Sequence, residues 1–433
     1  MSVLSPPEAS CPGISSIDVE ELRGFTQEST GSESERRHWT INKLFRAGVV
    51  KRLARLQRGR LTLVDGAETF EFGRRESIGL HATVNIRDAR AYRFLAMGGS
   101  LGAAEAYLQH QWTCEDLVTF FRFMIRNTQA LRELDRGWSQ LRAPFRWVER
   151  FLDRNTKSGS RRNIAAHYDL SNEFFALFLD ETMTYSSGIF EHPSGTLEEA
   201  SIAKYDRLCR KLELGPGDHV VEIGTGWGGF AIHAAGQYGC RVTTTTISRE
   251  QHDLARRRIE EAGLDHLVTL QLRDYRDLEG SYDKLVSIEM IEAVGHEFLE
   301  TYYKKCASLL KPGGRMAIQA ITIGEEEFDR YRGSTDFIQR YVFPGGCLPS
   351  PGSLNRAAQS TGQLRLDVSR EFGAHYATTI AHWRRRFRDR LEAVHSLGFD
   401  DRFVRMWNYY LCYCEAGFRE GKIGLSQLVY SRR

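Results

Sequence analysis

No stretch of about 18 consecutive apolar residues occurs in this 433-residue chain, so nothing in it reads as a membrane-spanning helix. The opening residues, rich in Ser, Pro and Glu, lack the basic start and apolar run of a secretory leader. The eight cysteines include no Cys-x-x-Cys pair, which gives neither a zinc-finger spacing nor a disulfide framework. A reduced, cytoplasmic protein is the expectation. Low hydropathy and missing periodicity mark residues 1–38 as a disordered tail.

Charge of either sign is scarce in sum, +3 for the whole chain, but it is unevenly placed. Residues 41–162 carry 23 Lys and Arg against 12 Asp and Glu, a balance of +11, while residues 1–40 and 163–433 each stand at −4. Such a patch attracts anionic headgroups or phosphates, or is a solvated face with no partner. Within it, residues 39–127 read as a smaller mixed α+β domain. Leu61–Val64 and Thr69–Phe72 alternate around Asp65-Gly66, the pattern of a hairpin. Ala82–Ile86 reads as a strand, and Gly102–Gln111 and Glu115–Arg126 as helices. Residues 128–162 interleave arginines with Leu, Trp and Phe, which predicts a basic helical linker.

From residue 163 onward strand-like apolar runs alternate with helical segments. The runs are His219–Ile223, Arg241–Ile247, Leu267–Leu272, Lys284–Ile288 and Arg315–Ile321, with helices expected over Gln251–Ala262 and Glu297–Leu310. That alternation predicts an α/β, doubly wound, mostly parallel sheet. Glu222-Ile-Gly224-Thr-Gly226-Trp-Gly228 follows the first run and opens a helix. Glycines there let the backbone approach a ligand at a helix N-terminus. Dinucleotide dehydrogenases need an acid about 20 residues further on, and residues 229–249 contain none. No Lys-Ser/Thr ending makes the turn a phosphate loop. An acid at a strand end ahead of three spaced glycines is similar instead to the S-adenosylmethionine site of Rossmann-like class I methyltransferases, and Lys311–Gly314 is a turn they often carry.

Seven stretches together resemble one family, the cyclopropane-fatty-acyl-phospholipid synthases and their mycolic acid cyclopropane synthase relatives. They are Ala166–Phe175, Met183–Gly188, Val221–Phe230, Ile291–Gly295, Tyr341–Ser350, Phe372–Thr379 and Tyr409–Phe418. Gly98–Tyr107 resembles the lipid-binding N-terminal domain of the longer bacterial members. The resemblance implies methyl transfer from S-adenosylmethionine to the cis double bond of an unsaturated phospholipid acyl chain at the inner face of the membrane, with no nucleic acid involved. It leaves room for a homodimer. It also implies a bicarbonate ion as the base, held by Ser187, Glu292, Gln319, the backbone of Ile321 and Tyr376. The family's Cys and His are replaced here by Ser187 and Gln319, so a methylene- or methyl-branched product (the latter through a partner reductase) stands beside the cyclopropane, and a catalytically silent lipid-binding relative is a third reading. For the cofactor, the resemblance assigns Tyr185, Ser186, Glu222, Gly224, Gly226, Gly228, Thr246, Gln251, Asp274 and Tyr275. His167 and Tyr168 either line the acyl channel or cap a helix.

Overall fold

The computed structural model describes residues 33–74, 79–135 and 170–433. Residues 1–32 of the expected tail, His167 and Tyr168, and residues 136–162 of the expected linker lie outside the described residues. The helix Glu33–Leu53 begins inside the stretch read as a tail, because Glu and Arg favour the helix there even where little is apolar.

The Asp65-Gly66 hairpin forms as the alternation predicts: β1 (Arg60–Asp65) pairs antiparallel with β2 (Glu68–Gly73), with Leu61 and Leu63 buried on one face. β3 (His81–Ile86) joins β1 in parallel, and β4 (Trp112–Cys114), a strand the sequence reading lacks, closes the sheet beside β3. The helix Arg90–Leu108 starts twelve residues ahead of the expected Gly102 and passes a kink at Gly99 (φ 56°, ψ −133°). The Gly98-Gly99 pair reads as a break in sequence, and only glycine makes such a kink cheap. The helix Leu117–Arg126 is capped by Asp116 and packs on the helix Asp401–Arg419 of the larger sheet's half, with Phe121 4.8 Å from Tyr409 between ring centroids. Arg122 and Arg126 both bind Glu420, at 2.6 and 2.7 Å.

The second sheet has seven strands in the order β10-β11-β9-β8-β5-β6-β7. Five of them are the predicted runs: β5 (His219–Ile223), β6 (Arg241–Thr246), β7 (Val268–Leu272), β8 (Tyr282–Ile288) and β9 (Leu310–Ile323), all parallel to their neighbours within this group. Val220 to Ile223 are all buried, as parallel strands covered on both faces require. Pairing jumps from Tyr282↔Leu310 to Lys284↔Arg315, so Lys311–Gly314 bulge out as the expected turn. β10 (Leu364–Glu371) and β11 (Ile423–Arg432) extend the sheet antiparallel beyond β9. The seven cysteines among the described residues are all free.

Strand order reverses at β5, which lies between β6 on one side and β8 on the other. Ligands of doubly wound sheets bind in the crevice at the carboxyl ends of the strands at such a switch point. An aromatic core closes that end. Ser171 caps the short helix Asn172–Ala176, placing Phe174 and Phe175 against the fully buried Trp407, with ring centroids at 5.0 and 6.2 Å. Phe175 also meets Trp227 at 5.0 Å, and the Trp227 indole N–H donates to Asn172 Oδ1 at 2.6 Å. The Ser171–Phe175 motif is thereby tied to the glycine turn.

Candidate active site

The chain leaves β5 through a turn in which Gly224, Gly226 and Gly228 all have positive φ (102°, 53° and 88°). β-Carbons are disfavoured there, which is why the turn is built from glycine. A β-carbon on Gly226 would meet nothing within 4 Å, because that residue faces the pocket, whereas one on Gly228 would meet Ala255 at 3.5 Å. Gly224 and Gly226 line the pocket and Gly228 does not. Gly228 thus stands apart from the expected cofactor contacts; it precedes the helix Gly229–Tyr238 and lies against Ala255 of the helix Arg249–Glu261.

The other residues expected at the cofactor line the same pocket. Thr246 donates to Gln251 Oε1 at 2.8 Å, a buried neutral pair where dehydrogenases hold an acid. The Asp274 carboxylate is occupied by Arg276, at 2.7 Å, and by the backbone of the turn it caps, so it shapes the pocket wall. Tyr275 stands beside it. Glu222 accepts from Thr244 at 2.6 Å, and burial raises its carboxyl to about 8. Ser186 accepts from Lys204 Nζ at 2.6 Å, and the Tyr185 hydroxyl pairs with that of Tyr410 at 3.0 Å.

The same pocket is also lined by the apolar side chains of Ile321, Ile338, Phe343, Ile380 and Phe418. The segment carrying Ile338 and Phe343 also touches the N-terminal half through the Tyr341 hydroxyl, which donates to Glu105, while Phe337 lies against Tyr409 of the helix on which that half packs. Two carboxyl groups line the same pocket, Glu289 and Glu292, both after β8.

The structure redistributes the groups expected around bicarbonate. Tyr376 donates to Glu289 Oε2 at 2.6 Å, while Gln319 Nε2 (2.7 Å) and the Ser187 N–H (2.9 Å) donate to Oε1. Ser187 and Gln319 are fully buried behind Glu289 and do not line the pocket. The Ser187 hydroxyl donates to the Gly188 carbonyl, and the second amide bond of Gln319 goes to the Ser187 carbonyl. The Ile321 N–H donates to Glu292 Oε1. With every expected donor engaged by a carboxylate or carbonyl of the chain, these residues do not fit a bound bicarbonate.

Burial raises the Glu289 carboxyl above the ordinary carboxylate range, opposed by Tyr376, by the Lys204 ammonium, by Gln319 and by the Ser187 N–H. Burial, then the neighbouring Glu289, pushes Glu292 up to about 8. Glu292 Oε2 finds no hydrogen-bond partner among the described residues, although its atom is buried. Burial and the neighbouring Glu289 thus favour the protonated form of Glu292 at neutral pH, while Tyr376, Lys204, Gln319 and the Ser187 N–H favour the charged form of Glu289.

Sequence reasoning finds Glu292 and misses both Glu289 and Lys204. The signal for Glu289 is present: an acid directly ending the apolar run Lys284–Ile288, the same rule that picks out Glu222. Lys204 sits mid-helix in Leu197–Leu212, fully buried, where burial lowers its ammonium to about 8 and Glu289, Asp180 and Glu222 pull it back up. Lysines in amphipathic helices normally face water, so nothing in the sequence distinguishes it.

Comparison with known proteins agrees with this geometry. The family model described as mycolic acid cyclopropane synthetase matches residues 155–428. A Mycobacterium tuberculosis protein, tuberculostearic acid methyltransferase UfaA1, is 41% identical over 356 residues, covering 80% of this chain and 82% of that one. The cyclopropane-fatty-acyl-phospholipid synthase of Escherichia coli K12 is 35% identical, covering 81% and 88%. The crystal structure of mycolic acid cyclopropane synthase CmaA1 complexed with SAH and CTAB superposes with a TM-score of 0.59 at 30% identity, covering 63% of this chain and 98% of that one.

Proposed function

The chain belongs to the mycolic acid cyclopropane synthetase family, and from that membership we propose that it methylates the cis double bond of an unsaturated fatty acyl chain carried on membrane phospholipid. The observation that carries this reading is that one pocket is lined by the Gly224–Gly226 turn, by two buried carboxyl groups, Glu289 and Glu292, and by apolar side chains such as Ile321, Ile338, Phe343, Ile380 and Phe418. Bound S-adenosylmethionine supplies an electrophilic methyl group, and as the alkene π electrons bond to it the sulfonium sulfur keeps the electron pair of the broken bond. Gly224, Gly226, Thr246, Gln251, Tyr275, Tyr185 and Ser186 are placed to hold it. The apolar walls exclude water, which would otherwise trap the cation left on the acyl chain.

Relatives named for tuberculostearic acid methylation and for cyclopropane synthesis are 41% and 35% identical to this chain. Ring closure and methylene branching share the methyl transfer and the cation it leaves, then part according to whether a hydride migrates before the proton is lost, and NMR of the product tells a ring from a terminal methylene.

The same reading gives membrane access to the N-terminal half as a surface association, and no helix among the described residues is long and apolar enough to cross a membrane. Lys51, Arg55, Arg58 and Arg93 are exposed there, as are Leu44 (70%) and Met97 (46%). Cations contribute roughly 1 kcal/mol each near anionic lipid and are screened by salt. The test uses purified protein, S-adenosylmethionine and phosphatidylglycerol vesicles. S-adenosylhomocysteine should accumulate with monounsaturated and not with saturated acyl chains, and sedimentation with the vesicles should weaken as salt rises. Equal turnover on saturated vesicles contradicts the substrate assignment, and salt-independent sedimentation contradicts the docking mode.

A further inference from the structure

We propose that the Glu289 carboxylate is itself the proton acceptor of this reaction and stands in place of a bound bicarbonate. The inference rests on the proposed methylation of an acyl double bond. Its basis is the convergence of three donors on one side chain: Tyr376 at 2.6 Å, Gln319 at 2.7 Å and the Ser187 N–H at 2.9 Å. Three of the groups that would hold a free anion hold this carboxylate, a fourth, the Ile321 N–H, holds Glu292, and the fifth is Glu292.

The backbone at Glu289 has φ 49°, a left-handed conformation that a residue with a β-carbon rarely adopts. Its own N–H donates to the Gln319 carbonyl at 2.8 Å, which fixes the turn and directs the side chain into the pocket wall. Burial makes this carboxylate a stronger base than an ordinary one, while Lys204 sustains its charge. Glu292, carrying a proton, is a donor and cannot compete for the same role.

The step balances without an external base. Once the methyl group is on the acyl chain, the adjacent carbon is a cation. A C–H bond of that methyl breaks, and its electron pair closes the ring. Where a hydride has first migrated from the methyl-bearing carbon to the cation, the pair forms the methylene double bond instead. The proton passes to Glu289, which returns it to solvent after the product leaves.

Turnover on monounsaturated phosphatidylglycerol vesicles under carbon-dioxide-free gas tests this, together with calorimetry. Wild-type turnover should be the same with and without sodium bicarbonate, and wild type should bind no bicarbonate in the calorimeter. Glu289→Ala should lose about 10²–10⁴-fold in turnover, keep its S-adenosylmethionine affinity, and recover about tenfold on addition of sodium formate or bicarbonate, because the vacated donors form an anion site. Calorimetric binding of bicarbonate to Glu289→Ala is the readout that does not depend on activity. Glu289→Gln keeps the size and folds like wild type, yet should be inactive and beyond rescue. Wild-type turnover that collapses on carbonate depletion, or a Glu289→Gln protein with full activity, overturns the inference. A wild type that binds S-adenosylmethionine but methylates no unsaturated lipid fails the underlying reaction and is recognised as such by that outcome.

Discussion

Gly226→Val should weaken S-adenosylmethionine binding by roughly 100-fold or more, about 3 kcal/mol, in titration calorimetry. Gly226 faces the pocket with φ 53°, and a β-carbon there meets no protein atom within 4 Å. Valine's two methyl groups would enter the space that the ligand needs, and a β-branched residue is strained in that conformation. The fold itself has room for the side chain, so circular dichroism should stay close to wild type. Gly228→Ala is the matched control. It also has positive φ, but it faces Ala255 and not the pocket, so it should cost stability and spare affinity. A folded Gly226→Val protein with unchanged affinity would remove the glycine turn from the cofactor site.

Lys204→Met should destabilise the methyltransferase half by about 3–5 kcal/mol, the usual consequence of removing one partner from a buried charge group. Lys204 is fully buried, and the carboxyls of Glu289, Asp180 and Glu222 surround it. Methionine fills the volume but leaves those carboxyls without a cation. It also frees the Ser186 hydroxyl, which Lys204 holds at 2.6 Å beside the pocket, so cofactor affinity should fall too. Adding Glu289→Gln to Lys204→Met should restore part of the loss, with a coupling of about 0.5–3 kcal/mol in urea unfolding of the four proteins of the cycle. Strict additivity would mean that Lys204 and Glu289 do not share one electrostatic cluster.

Much of the fold is legible because it rests on local chemistry. The five parallel strands are apolar runs between helical periods, and the Asp65-Gly66 hairpin follows from turn residues between alternating strands. β10 and β11 are less visible. Leu364, Leu366 and Val368 alternate with polar residues, but the strand lies at the sheet edge and buries little of itself. β11 sits between β10 and β9, and its pairing with β9 joins residues 100 or more positions apart.

The site divides along the same line. The glycine turn is visible because a ligand at a helix N-terminus demands those residues at that spacing. Glu292 is visible as an acid in an apolar stretch. What the sequence withholds is which of two acids three residues apart meets the donors. A single left-handed backbone angle at Glu289 decides that, and the sequence Ile288-Glu-Met-Ile-Glu292 does not encode it in any periodicity. Gly228, Ser187 and Gln319 belong to the expected motifs, but packing turns each of them away from the pocket.

The most direct test of the whole account follows the transferred carbon and its hydrogens. The chain is expressed in a bacterial host that lacks such enzymes and is fed methionine with a fully deuterated methyl group, and the fatty acids are read by mass spectrometry. A methyl group delivered to an acyl double bond and then deprotonated in this pocket must appear as one added carbon, only in chains that began unsaturated, carrying two of its three deuterium atoms. An added carbon with all three deuterium atoms would mean that no base acts on the transferred methyl, and unmodified fatty acids would contradict methylation of the acyl chain altogether.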